Sequence, residues 1–127
     1  MQLVGPFSSG VAAGSAGSAT NNFDTLTRLT GRVIGIYVKY QDSPPNTTDV
    51  VIGTKGTAPA VPTTNLLTLT NKNADGWFYP RVTPTDTSGV ALAALTTAEP
   101  QIIDDVVNIS IAGANAADYV DVWFMLD

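Results

Sequence analysis

Asn71-x-Asn73-x-Asp75-Gly76 sets side-chain oxygens at alternating positions ahead of a glycine. That is the first half of a calcium-binding loop. The chemistry also needs a bidentate Glu at the twelfth position, where this chain has Val82, and only Asp75 brings charge. The segment therefore reads as a polar turn, with Asp75-Gly76 as a hairpin signal between apolar runs. Carboxylates pair at Asp104-Asp105 and at Asp118 with Asp121. Hydrolytic work by two carboxyls needs them to face each other across a cleft. Neighbours in a regular strand point to opposite faces, so Asp104-Asp105 reads as a cap or bulge. Glu99 is the only Glu, so a Glu/Glu pair is impossible.

Trp77-Phe78-Tyr79 offers a different chemistry. Alternation puts Trp77 and Tyr79 on one face, where they form either a sugar-stacking platform or packing that closes one end of a core. Arg81, one of six cations, follows, placed to stack on Tyr79 or pair with Asp75 or Asp86. The sequons at Asn46 and Asn108 follow no secretory signal and are discounted. Gly31 to Gly35 lacks the Lys-Ser/Thr of a phosphate loop.

Composition removes other classes. With no Cys and no His there is no disulfide framework, thiol nucleophile, imidazole metal site or Ser-His-Asp triad. Charged residues are 13% of the chain, about half the usual share. A net charge of −5 with scattered cations is unsuited to nucleic acid. No run of 18 apolar residues suggests a membrane span. The expectation is a chain that binds or supports rather than catalyses, without cofactor.

The 127 residues suit one domain. Residues 1–24 stand apart: Ser8 to Asn22 is nearly all Ser, Gly, Ala, Thr and Asn. Such a segment cannot offset its ordering entropy alone, so it reads as a flexible or partner-ordered arm with an apolar tip at Leu3, Val4, Pro6 and Phe7. Deleting residues 2–22 is then expected to spare the fold.

From Thr25 the period is two. Strands are expected over Arg32–Tyr40, Asp49–Thr54, Leu66–Thr70 and Trp77–Arg81, the last at an edge or ending at Pro80, over Ile102–Ala112 as one strand or a strand pair with a kink near Asp104-Asp105, and over Asp118–Asp127. Loops are expected at Asp42–Thr48 and Lys55–Thr64. Val90–Leu95 is a short strand or a helical turn. No segment carries a helical period. The fold class is all-β, an antiparallel β-sandwich of jelly-roll or Greek-key type over 25–127. The last strand sets Val120, Val122, Phe124 and Leu126 on one face and Tyr119, Asp121, Trp123 and Met125 on the other. Tyr119, Trp123 and Met125 then need a cover, either internal or a second subunit.

Gly35-Ile-Tyr-Val-Lys-Tyr40, Pro45-Asn-Thr-Thr-Asp-Val50, Leu67-Thr-Leu-Thr70, Asp75-Gly-Trp-Phe-Tyr-Pro-Arg81, Asp86-Thr-x-Gly89 and Val120-Asp-Val-Trp123 together resemble small jelly-roll capsid cement or decoration proteins of tailed phages. The resemblance spans roughly residues 31–127. It implies a virion protein on the outer capsid surface, made in the host cytoplasm. The implied partners are the major capsid protein and copies of itself, as homodimer or homotrimer. It brings no catalytic or metal residues. Leu3, Val4, Phe7, Trp77, Tyr79, Arg81, Tyr119, Trp123 and Met125 are the candidate partner contacts.

Overall fold

The computed structural model describes residues 1–56, 65–92 and 98–127. Ten strands run in chain order: β1 (Gln2–Ser8), β2 (Ala19–Asp24), β3 (Leu29–Gln41), β4 (Asp49–Thr54), β5 (Asn65–Leu69), β6 (Gly76–Phe78), β7 (Arg81–Val82), β8 (Glu99–Asp105), β9 (Val107–Ala114) and β10 (Tyr119–Leu126). No helix occurs among the described residues.

The strands form two antiparallel layers, β1-β10-β3-β8 and β2-β9-β4-β5. β7 adds to the outside of β8, and β6 pairs with β3 beyond the end of β8. The pairings nest: β1 with β10, β2 with β9, β3 with β8, and β4 with β5. This is a long hairpin rolled over so that successive segments alternate between layers, which is the jelly-roll order.

The core follows from alternation. Val120, Val122, Phe124 and Leu126 point inward from β10, against Val33, Ile36 and Val38 of β3 and Ile109 and Ile111 of β9, all buried. β8 and β9 are nearly one strand that changes layer at Val106. Asp105 makes the corner: its fully buried carboxylate accepts the amides of Val106 at 2.7 Å and Gly56 at 2.6 Å. Asp104 faces the other way, bound to Arg28 Nε at 2.7 Å and Thr30 Oγ1 at 2.9 Å. The expected kink and the opposed carboxylates are both present.

The arm is the main correction. Residues 2–8 are an edge strand of one layer and residues 19–24 an edge strand of the other. Val4 and Phe7 point inward onto the core, and the Phe7 ring lies 5.9 Å from Phe124. The small residues between the strands fit a tight crossing. Ser9, Ala12 and Ala19 are buried, and the Ser9 hydroxyl accepts the Val120 amide at 3.1 Å. Backbone pairing with β9 and β10 supplies what the side chains lack. Low apolar content here reflects a lack of room, not a lack of order.

The expected hairpin at Asp75-Gly76 is absent, because β5 and β6 belong to different layers. The polar turn instead crosses between them, tied by its side chains. Asp75 accepts the Tyr40 amide at 2.8 Å, and Asn73 Nδ2 donates to the Pro44 carbonyl at 3.0 Å. Thr85 bridges to Ala91. Residues 93–95 of the expected segment at Val90–Leu95, and most of the loop ending at Thr64, lie outside the described residues.

Tyr40 is buried beside this crossing, and its hydroxyl has no partner among the described residues. Burial, then the charges of Asp75 and Asp49, push its pKa up to about 12. The folded value lies above the unfolded one near 10. The contribution is thus complete below pH 10 and lost as pH rises through about 12. The expected loss is about 2 kcal/mol. Tyr40→Phe removes that loss and stabilises the protein by about 1 kcal/mol at neutral pH, because no buried hydroxyl stays unsatisfied. Urea melts of both proteins at pH 7 and pH 11.5 check this. Parallel pH profiles for the two would refute it.

Candidate binding face

The outward face of the β1-β10-β3-β8 layer carries the aromatic residues. A bulge at Ile34 resets β3, so that Gly35, Tyr37, Lys39 and Gln41 all point outward. Across the ladder, Tyr37 stands opposite Trp123 on one side and Trp77 on the other. The rings touch in series. Trp123 and Tyr37 are 5.7 Å apart, Tyr37 and Trp77 5.4 Å, both tilted; Trp77 and Tyr79 are 6.4 Å apart and nearly parallel at 12°.

Gly35 makes the floor. A Cβ there would lie 3.1 Å from Tyr79 and 3.3 Å from Trp77, so the absent side chain is what lets both rings settle on the sheet. Leu3, opposite Met125, closes the far side. Leu3, Tyr37, Trp77 and Trp123 bound an open notch of about 230 Å³ whose walls are almost wholly apolar. Trp77 is 40% exposed and Tyr79 60%. Exposed rings gathered on one sheet face make this the candidate interaction surface.

No family model, curated protein or solved structure matches the chain.

Charge is divided unevenly. Arg28, Arg32, Lys39 and Arg81 lie on or border the aromatic face with Asp75, Asp104, Asp121 and Asp127. Four of the six cations thus sit with four of the eleven acids, leaving this face without net charge, while the rest of the chain sets two cations against seven acids. Arg28 pairs with Asp104 and Arg32 with Asp127. The Arg28 bond, then that of Thr30, holds the Asp104 carboxyl below the usual carboxylate range, and Arg32 does the same for Asp127.

Arg81 neither stacks nor pairs as expected. Its Nη1 donates to the carbonyls of Ile34 at 3.1 Å and Pro80 at 2.9 Å. It has no ion pair among the described residues, and neither has Lys39. Asp121 stands opposite Lys39 but accepts Gln41 Nε2 at 3.2 Å.

Of the nine candidate contacts, Leu3, Trp77, Tyr79 and Trp123 come together, with Met125 beside Leu3 and Arg81 at the rim. Tyr119 shares the face at the far end of β10. Val4 and Phe7 belong to the core instead. Tyr37 and Gly35 complete the cluster and were not singled out in the sequence. The signal was the parity of Tyr37, which alternates with Ile36 and Val38 on the side of Gly35 and Lys39; the bulge at Ile34 reverses only the residues before it.

A second depression, about 550 Å³, lies between the free edges of β1 and β2 and includes Phe7, Phe23 and Leu26. Asn21 partly caps the edge there: its Oδ1 accepts the Asn22 amide and its Nδ2 donates to the Val11 carbonyl.

Proposed function

We propose that this chain is a virion structural protein that binds and stabilises a phage capsid shell, attaching through the aromatic face of the β1-β10-β3-β8 layer. The observation that carries the reading is that face: four aromatic rings in contact on the solvent side of a closed sandwich, around an apolar notch. Trp, Tyr and Arg are the side chains that dominate protein interfaces. The phage setting comes from the resemblance of residues 31–127, with which the jelly-roll order agrees. Many copies on one shell make weak individual contacts cumulative. Copies meeting as dimers or trimers would use surface that attachment leaves free, including Tyr119.

A glycan-binding role is the second reading. It is favoured by the nearly parallel, exposed Trp77 and Tyr79 rings, the geometry on which a sugar face stacks. Sedimentation with assembled shells separates the two. Saturable binding at a copy number matching capsid sites is expected, weakened roughly thirtyfold by Trp77→Ala as for an interface anchor worth about 2 kcal/mol. No sedimentation, together with glycan binding lost in Trp77→Ala, would replace the first reading with the second.

A further inference from the structure

We infer that the notch between Leu3, Tyr37, Trp77 and Trp123 is a socket for one proline or leucine side chain presented by an acidic polypeptide surface. This rests on reading the face as a protein-binding surface and names the chemistry of its partner.

Size comes first. Sites for small molecules run from about 300 to 1,000 Å³, and the notch holds about 230 Å³. It suits a single side chain. The walls come next. A sugar needs convergent polar groups for its hydroxyls, and these walls are almost wholly carbon. Aromatic-lined grooves take proline segments, whose extended form loses little entropy on docking.

Charge then selects the partner. Arg81 is fixed by two main-chain carbonyls that leave its charge uncompensated. Lys39 lies on the same outward row as Tyr37. The carboxylates on or bordering this face are Asp104 and Asp127, each tied to an arginine, Asp121, bonded to Gln41, and Asp75, which accepts the Tyr40 amide. The rest of the molecule is strongly acidic. A negative surface is therefore repelled by the rest of the molecule and not by this face, where Arg81 offers it an uncompensated charge.

The rival occupant is a second copy, whose Leu26 is 94% exposed near Asp24. Asp24 is already paired with Lys55 at 3.7 Å, so that knob brings no free carboxylate to Arg81. An acidic partner is the better fit.

The chain has two tryptophans, and both wall the socket. Their indole N–H resonances therefore report occupancy directly. The probes are a blocked Glu-Pro-Pro-Glu peptide, its Lys-Pro-Pro-Lys counterpart and cellohexaose. Both indole signals are expected to shift saturably with the acidic peptide, at roughly millimolar affinity for one socket. The basic peptide is expected to bind at least about fivefold more weakly. Replacing both Lys39 and Arg81 by Gln should bring the two peptides close to parity, with shifts in the free protein confined to residues around the two substitutions. High salt should do the same.

Absence of a shift with the acidic peptide up to about 10 mM, equal binding of the two peptides, or saturation by the oligosaccharide would each overturn the proposal. So would concentration-dependent shifts in the protein alone that Leu26→Ser abolishes, which would make the occupant a second copy. Shell sedimentation is scored separately. Shell binding without a peptide response removes the socket and keeps the proposed function, and a peptide response without shell binding does the reverse.

Discussion

A chain beginning at Thr25 is expected not to fold. Removing residues 1–24 takes one edge strand from each layer. β10 would lose its pairing along Asp121–Leu126, and β9 along Asn108–Ala114. Phe124, Val122, Ile109 and Ile111, all fully buried in the intact protein, would lie at new sheet edges. Each such side chain contributes about 1.5–3 kcal/mol when buried, and a small domain has only about 5–15 kcal/mol in total. The Val120 amide would also lose its Ser9 acceptor inside the core. The truncated protein should show no cooperative thermal transition and a collapsed amide spectrum. A sigmoidal melt with dispersed resonances would mean that β1 and β2 are dispensable, restoring the arm as a tether.

The same 24 residues show where sequence reading reached its limit. Strand patterns were legible where a strand buries one face by its own side chains. Tyr119–Leu126 alternates without interruption and its two faces are as the residues imply. Asp49–Thr54 was bounded correctly for the same reason. β1 and β2 are held mainly by backbone pairing to strands about a hundred residues away, and pairing leaves no mark in composition. Ser, Gly and Ala look alike whether they fill a loose tail or a tight crossing.

The candidate face was half legible. Trp77, Tyr79 and Trp123 could be placed by parity within their own strands. Which strands become neighbours could not be read, so Leu3 and Trp123 could not be brought together. The bulge at Ile34 moved Val33 from the expected outer row into the core, whereas Tyr37 was already on the outer row and was missed because Trp77 and Trp123 reach it from other strands. Arg81 defeated the pairing rule because two main-chain carbonyls reached it before any carboxylate did.

Two adjacent residues on β10 separate fold from function. Phe124→Ala empties the centre of the sandwich: the ring is fully buried, and Phe7 packs on it. Truncating a buried Phe costs about 3–5 kcal/mol through lost transfer energy and the cavity left behind. That is a large part of the whole stability, so the variant should melt at least about 10 °C lower. Trp123→Ala, one position away, removes a half-buried ring from the outward face. The loss there is chiefly its contact with Tyr37 at 5.7 Å, with an expected cost of about 1–2 kcal/mol. Its effect on attachment should be the larger one, because it takes away a wall of the notch. Chemical denaturation and shell sedimentation, run on both variants, should therefore rank them in opposite orders. Phe124→Ala should bind shells normally at temperatures where it remains folded, since the period of two keeps its ring off the outer surface. If both variants lost stability and attachment in the same proportion, the outward face would be only a second layer of packing, and the attachment surface would have to be sought at the sheet edges.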